Sequence, residues 1–222
     1  MYTVPEATKV IIERSRYLTE AMSKDLINYS SLARYIKPEL EKTLMKPISE
    51  ASIIMAVKRI AEDIKPKFVP LTIFKTTPEM IVRSNLIDIT FSNSITLPKK
   101  VAKVLELHHN TQKYFFTLTE GLSETTIIAS QDAKDFIEEN IKQELRLAEF
   151  ENLSAITVRM PKDISYSPGV VYFFLKSLAW EGINLVEVVS TYVELTLVLD
   201  DKDVNRAFAI LKGLFPIENL IR

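Results

Sequence analysis

Residues 167–215 read SPGVVYFFLKSLAWEGINLVEVVSTYVELTLVLDDKDVNRAFAILKGLF, and the periodicity of this stretch decides the fold. Val170, Val171, Phe174, Leu175, Leu178 and Ala179 recur at three- and four-residue steps, which predicts a helix with one apolar face. Gly182 stands where a left-handed residue ends a helix. INLVEVVSTY (183–192) and VELTLVLD (193–200) then read as two strands rich in β-branched residues. KDVNRAFAILKGLF (202–215) returns to helical spacing, with Val204, Ala207, Phe208, Leu211 and Leu214 on one side and Pro216 closing it. Immediately upstream, LSAITVRM (153–160) supplies a strand ahead of the first helix.

The preceding residues carry the same order. MIVRSNLIDITFS (80–92) is a strand and LPKKVAKVLELHH (97–109) a helix that turns Val101, Val104, Leu105 and Leu107 inward. KYFFTLTEG and SETTIIAS are strands around Glu120-Gly121, QDAKDFIEENI is a second helix, and LRLAEFEN (145–152) offers a fourth strand. Pro98 and Pro168 stand 70 positions apart, and at that offset Val101 meets Val171, Leu105 meets Leu175 and Phe115 meets Leu185; one slip aligns Asp132 with Asp203. Agreement in element order and apolar register indicates an internal duplication. The expected class is α+β: tandem ferredoxin-like βαββαβ units over 79–150 and 151–222, each a four-stranded antiparallel sheet with both helices on one face. The opposite face of each sheet then needs a partner.

Residues 1–67 read as a small all-α domain, and Pro66 and Pro70 open a linker that runs to about Pro78. Val10, Ile11, Arg14, Leu18 and Met22 mark one helix from about Pro5 to Met22. SSLARYI, capped by Ser30 or Ser31, and KPELEKTLM, with Pro38 in its first turn, read as two short helices. Ser49 caps the longer SEASIIMAVKRIAEDI.

Composition narrows the chemistry. The 222 residues hold no Cys, 2 adjacent His and 4 Gly. Thiolate metal sites, disulfides and Cys nucleophiles are excluded, and glycine-rich phosphate loops are disfavoured. No Ser-His-Asp, paired-carboxylate or phosphate-loop arrangement stands out, so no catalytic residue, cofactor or metal site is assigned. His108-His109 reads as a helix end, and Asp200-Asp201 as a cap. The net charge is −1, with 12 Lys/Arg against 9 Asp/Glu over residues 1–70, so no global field draws the chain to nucleic acid or lipid. No targeting or membrane-spanning segment is visible, and a soluble cytoplasmic protein is expected.

The second unit resembles the ACT domain, the amino-acid-sensing module of metabolic regulators. Its Pro168-Gly169 at the helix start, the EGIN turn, the VVST strand, the apolar strand ending in Asp200-Asp201 and the closing helix look most like the regulatory end of aspartate kinases. The likeness is close over 151–222 and looser over 79–150, and aspartate kinases also carry two ACT units in tandem. No Lys-Phe-Gly-Gly start of the kinase domain is present, so the resemblance implies a regulatory region without the catalytic one. The region NYSSLARYIKPELEKTLMKPISEASIIMAVKRI has a looser likeness to helix-turn-helix modules; a plain helical core is the other reading. On the first of these, Arg34, Lys37, Lys42, Lys46, Lys58 and Arg59 meet DNA phosphates.

ACT units take amino acids where the loop after the first strand and the following helix start face a partner's second strand. In this sequence that implies Asp163, Ser165, Tyr166, Ser167, Gly169 and Val170 on the loop side. Asn184, Leu185 and Val186 come from the strand side. A helix N-terminus offers free N–H groups to an α-carboxylate, and Gly169 leaves the backbone approachable. In the first unit Lys99 stands at the Gly169 position, which implies a structural unit without its own ligand. The function expected is a non-catalytic regulator, a homodimer or higher homo-oligomer, that binds an amino acid and signals to its N-terminal helices, with transcription as one output. The alternatives are an oligomerising protein that docks on a metabolic enzyme and, third, an aspartate-kinase-related enzyme.

Overall fold

The computed structural model describes residues 2–64, 74, 76–111 and 115–215, without the side chains of residues 107–111, Ser165 and Tyr166. Two compact units emerge, Met1–Val69 and Pro70–Arg222. The expected helix end at Pro66, the linker mark at Pro70 and the closure at Pro216 lie outside the described residues.

The first unit holds four helices: α1 (Val4–Arg14), α2 (Arg16–Ser23), α3 (Tyr29–Leu44) and α4 (Glu50–Asp63). Each start has a chemical cause. Thr3 and Glu6 form a reciprocal capping box at α1. The Asn28 side-chain Oδ1 accepts from the Ser31 N–H at 3.0 Å ahead of α3, and the Ser49 hydroxyl accepts from the Ser52 N–H ahead of α4. The core joins Ile11, Ile12, Ile36, Leu40, Ile53 and Val57. Three expectations change here. The helix expected over Pro5–Met22 is broken at Ser15, and Val10 faces solvent while Ile12 is buried. The cap of the next helix is Asn28 in place of Ser30 or Ser31. The two short helices around Pro38 are one helix of 16 residues with Pro38 inside it. Leu32, Ile36, Leu40 and Leu44 keep a four-residue step through the proline, and their burial outweighs the lost backbone hydrogen bond.

The second unit is one antiparallel sheet with helices against it. Its elements are β1 (Met80–Ser92), α5 (Leu97–Thr111), β2 (Phe116–Glu120), β3 (Glu124–Ser130), α6 (Lys134–Asn140), β4 (Arg146–Arg159), α7 (Val170–Trp180), β5 (Glu187–Ser190), β6 (Glu194–Asp200) and α8 (Val204–Gly213). The strand order is β2-β3-β1-β4-β6-β5. Exchanging β1 with β4, β2 with β5 and β3 with β6 returns the same order reversed, so the duplication is a pseudo-two-fold axis through the β1–β4 pair.

The α+β class and the tandem ferredoxin-like pattern stand, but the two expected four-stranded sheets are a single six-stranded one. LRLAEFEN and LSAITVRM, read as separate strands, are continuous in β4. Its first half pairs with Phe91–Asp88 as the fourth strand of the first repeat. Met80–Arg83 of β1 pairs with Val158–Ala155 and completes the second repeat in the same way. At the crossover Asn85 (φ 60) and Asn152 (φ 56) take the left-handed conformation, where the β1–β4 register shifts. Asparagine tolerates that conformation better than most side chains, so each strand kinks and continues.

The helices lie on one face. Ile87, Ile89 and Phe91 of β1 pack under Val101, Val104 and Ile137 of α5 and α6. Ile156 and Val158 of β4, with Leu195, Leu197 and Leu199 of β6, pack under Phe174, Leu178 and Leu211 of α7 and α8. The alternate residues Leu86, Ile128, Leu153, Ala155 and Val198 form their own cluster on the opposite face. Because Leu86 and Leu153 are register partners in that cluster, both helix pairs share the other side. Two matched pairs pin the helix-free face, Thr90 with Thr126 at 2.8 Å and Thr157 with Thr196 at 2.9 Å.

Candidate functional site

The loop from β4 to α7 is the first expected element of the site. A short 3-10 turn over Lys162–Tyr166 carries Asp163, Ser165 and Tyr166, and the Ser167 N–H closes it on the Ile164 carbonyl at 2.9 Å. Gly169 follows at φ 86, a conformation costly to any residue with a Cβ. It is the N-cap of α7 and, having no side chain, makes no cap hydrogen bond itself. The start of α7 carries the positive end of the helix dipole. Asp163 is exposed, and Ser167 and Gly169 are half-buried beside this corner. Val170 points into the core at 2% exposure, so it has only backbone to offer a ligand.

The second element lies elsewhere in the chain. Gly182 (φ 71) reverses the backbone, and the Ile183 N–H returns to the Leu178 carbonyl at 3.1 Å. The expected strand over 183–192 shortens to Glu187–Ser190, so Asn184, Leu185 and Val186 sit in the connector before β5. Asn184 is exposed, Leu185 packs on the helix-side core, and Val186 donates its N–H to the Val198 carbonyl at 2.8 Å. The β4–β6 register pairs Arg159 with Glu194 and Ala155 with Val198. The loop therefore leaves beside the start of β6, while 184–186 lie beside its end. Within one chain these two sets stand at opposite ends of the repeat, and a groove lined by both needs a second copy.

The equivalent corner of the first repeat is filled. The Glu144 carboxylate accepts from the Ser94 and Thr96 hydroxyls, each at 2.6 Å, and lies 2.7 Å from Lys100 Nζ. Lys100, Ser94 and Thr96 together hold it well below the usual carboxylate range, at about 2. Ser94 also accepts the Leu97 N–H at the start of α5. Beside this corner a cavity of about 240 Å³ runs along α5 and is lined by Leu97, Val101, Leu105, Leu118, Asn93 and Glu120. Lys99, expected to crowd the corner, is exposed. Glu144 was invisible in the sequence because it lies 50 residues from Ser94.

The helix-free face holds a second group that the sequence did not single out. Asp88, 1% exposed, sits between Ile128 and Phe150, and its Oδ1 has no hydrogen-bond partner among the described residues. Burial, then the negative charge of Glu187, push its carboxyl up to about 6, while the Thr90 hydroxyl opposes them. Glu187 is itself raised by burial and by Glu124. These carboxylates belong to β1, β5 and β3, and their negative charges raise one another.

The six basic candidates of the N-terminal unit all reach its surface. Arg34, Lys37 and Lys42 lie on α3, Lys46 in the α3–α4 turn, and Lys58 and Arg59 on α4. Acidic residues interrupt them: Glu41 stands 4.0 Å from Lys37, and Glu39 pairs with Arg14. The His108 and His109 side chains lie outside the described residues. Asp200 caps the turn before α8 through the Lys202 N–H at 3.0 Å. Among the described residues no group of three or more His, Asp or Glu is placed to hold a metal, and no helix is long and apolar enough to cross a membrane.

A duplicated, pseudo-two-fold sheet with every packed helix on one side defines a tandem ferredoxin-like architecture. The C-terminal unit has the fold of the ACT regulatory region of aspartate kinases. The crystal structure of Clostridium acetobutylicum aspartate kinase superposes with a TM-score of 0.53 at 13% identity, over 64% of this chain and 35% of that one. The chain thus spans about a third of that allosteric enzyme. The regulatory subunit of aspartate kinase from Thermus thermophilus, in its ligand-free form, superposes with a TM-score of 0.52 at 11% identity, over 64% of this chain and 99% of that subunit. No protein-family model and no curated protein matches the sequence.

Proposed function

We propose that this chain is a non-catalytic regulatory protein that binds an amino acid at the corner between β4 and α7 and passes the event to its N-terminal helices. The observation that carries this reading is the left-handed Gly169 at the N-cap of α7, which brings bare backbone to the corner, set in an ACT fold and flanked by Asp163 and Ser167. An α-carboxylate takes the helix N–H groups there. Asn184 and the backbone around Leu185 and Val186 of a second copy meet the ammonium, because a single chain holds them at the other end of the repeat. The homodimer is thus part of the site. An effector shifts the packing of the two copies only by binding one arrangement more tightly, and the N-terminal unit is the part that responds.

The test is a thermal melt of the purified chain against each of the twenty amino acids at millimolar concentration. One or a few should raise the melting temperature, and Gly169→Arg should abolish the rise. No shift with any of them refutes the reading. Sedimentation with and without the effective amino acid reports the dimer, and a gel shift at low and moderate salt decides whether DNA is the target of the N-terminal helices.

A further inference from the structure

The two repeats share a backbone plan, and the loop–helix corner of the first contains a carboxylate delivered from a distant part of the chain. Glu144 comes from the segment between α6 and β4, and its side chain is 4% exposed. It reaches the β1–α5 loop to take two hydroxyls and one ammonium. Lys100 is held from a second side by the Lys142 carbonyl, so the ammonium is oriented toward the corner by the same segment that delivers the carboxylate. A nearly buried anion with three charge-assisted or hydroxyl donors is a bound-ligand geometry in which the ligand is tethered.

We propose that Glu144 is a built-in carboxylate ligand that occupies the corner of the first repeat, so that this repeat is closed to free carboxylates while the second stays open. The statement about the second repeat rests on the proposed function; the statement about Glu144 does not. One effector per chain is the consequence. Ser94 and Thr96 act as the receiving hydroxyls and Lys100 as the counter-charge.

The experiment is chemical rescue in the full-length protein. Glu144→Ala should melt several degrees below the wild type, and sodium acetate at 1–100 mM should restore at least half of that loss along a saturable curve. Sodium chloride at matched ionic strength should not, and the wild type should respond to acetate no more than to chloride. Equal effects of acetate and chloride on the variant overturn the proposal, as does an equal acetate response in the wild type. A second measurement needs no variant. In wild-type protein labelled at glutamate side-chain carbons, one carboxyl should stay ionised down to about pH 2, and its resonance should be missing from Glu144→Gln. A set of glutamates that all titrate in the ordinary range refutes the assignment. An amino acid that binds at two per wild-type chain refutes the closure of the first repeat and leaves the effector reading intact. Acetate rescue in a chain that binds no amino acid does the reverse.

Discussion

Replacing Asp88 by Asn should make the protein more stable at neutral pH and remove one component of its pH dependence. Asp88 lies on the helix-free face among Leu86, Ile128 and Val198, and one of its oxygens is unpartnered. An acid whose folded value is raised holds its proton more tightly in the folded state. Its contribution is therefore fully present below the unfolded value and is lost as pH rises through the folded one. For Asp88 those limits are 3.8 and about 6. Ionising it in the fold costs on the order of 3 kcal/mol relative to the unfolded chain. The difference in unfolding free energy between Asp88→Asn and the wild type, measured by urea denaturation from pH 4 to pH 8, should grow across that window and flatten above pH 7. At pH 7.5 the variant should melt about 5–10 °C higher, the range that this energy implies for a unit of this size. Glu187→Gln in the wild-type background should move the midpoint of the window to lower pH, because Glu187 contributes to the rise. A wild-type-to-variant difference that is constant with pH refutes the reasoning, since a packing change alone does not titrate.

Three further outcomes test the scaffold. Phe174, fully buried and in edge contact with Phe74 (ring centroids 6.0 Å apart), should cost about 3–5 kcal/mol as Phe174→Ala in urea denaturation; a loss under 1 kcal/mol would deny it a central place in the core. Gly182→Ala should cost about 1–2 kcal/mol although nothing lies within 4 Å of the added methyl, because the cost is the left-handed backbone; Gly213→Ala, equally open but without that backbone, should gain about 1 kcal/mol, and equal effects of the two would refute the conformational argument. Ser49→Ala should lose about 0.5–2 kcal/mol through the cap of α4, read as a lower melting temperature of the N-terminal unit; an unchanged melt would remove the cap from the account.

The parts of the fold legible in sequence are those set by local periodicity. Phe174 and Leu178 face inward on α7 and Trp180 falls off that stripe, as the spacing required; Trp180 is 84% exposed. Gly182 ends the helix for the conformational reason that placed it there. What periodicity misread are positions where a longer-range contact overrides a local signal. LRLAEFEN and LSAITVRM look like two strands, but Asn152 absorbs a kink and β4 runs through both to pair with β1. Pro38 looks like a helix start, but the apolar step around it continues and burial carries the helix through. The site was half legible for the same reason. Gly169 announces itself locally. Glu144 and Asp88 acquire meaning only when Ser94, Lys100 and Glu187 arrive from distant parts of the chain.

The duplication also separates what the fold needs from what the protein uses. At the crossover both repeats keep the same residues in the same roles: Asn85-Leu86 with Ile89-Thr90, and Asn152-Leu153 with Ile156-Thr157. The asparagines kink, the leucines pair with each other across the axis, the isoleucines face the helices and the threonines bond their neighbours. A two-fold sheet requires those four, and they are retained. Between them the repeats diverge into polar groups with no counterpart. Asp88 faces the bare side where the second repeat has Ala155, and Ser154 meets Ser84 and Asp201 where the first repeat has Ile87. The corners diverge too, into Glu144 on one side and Gly169 on the other. A purely structural duplication gains nothing from burying a carboxylate with an unpartnered oxygen in one copy, because that placement costs stability at neutral pH. The asymmetry therefore lies in the first repeat, which holds both Asp88 and the tethered Glu144.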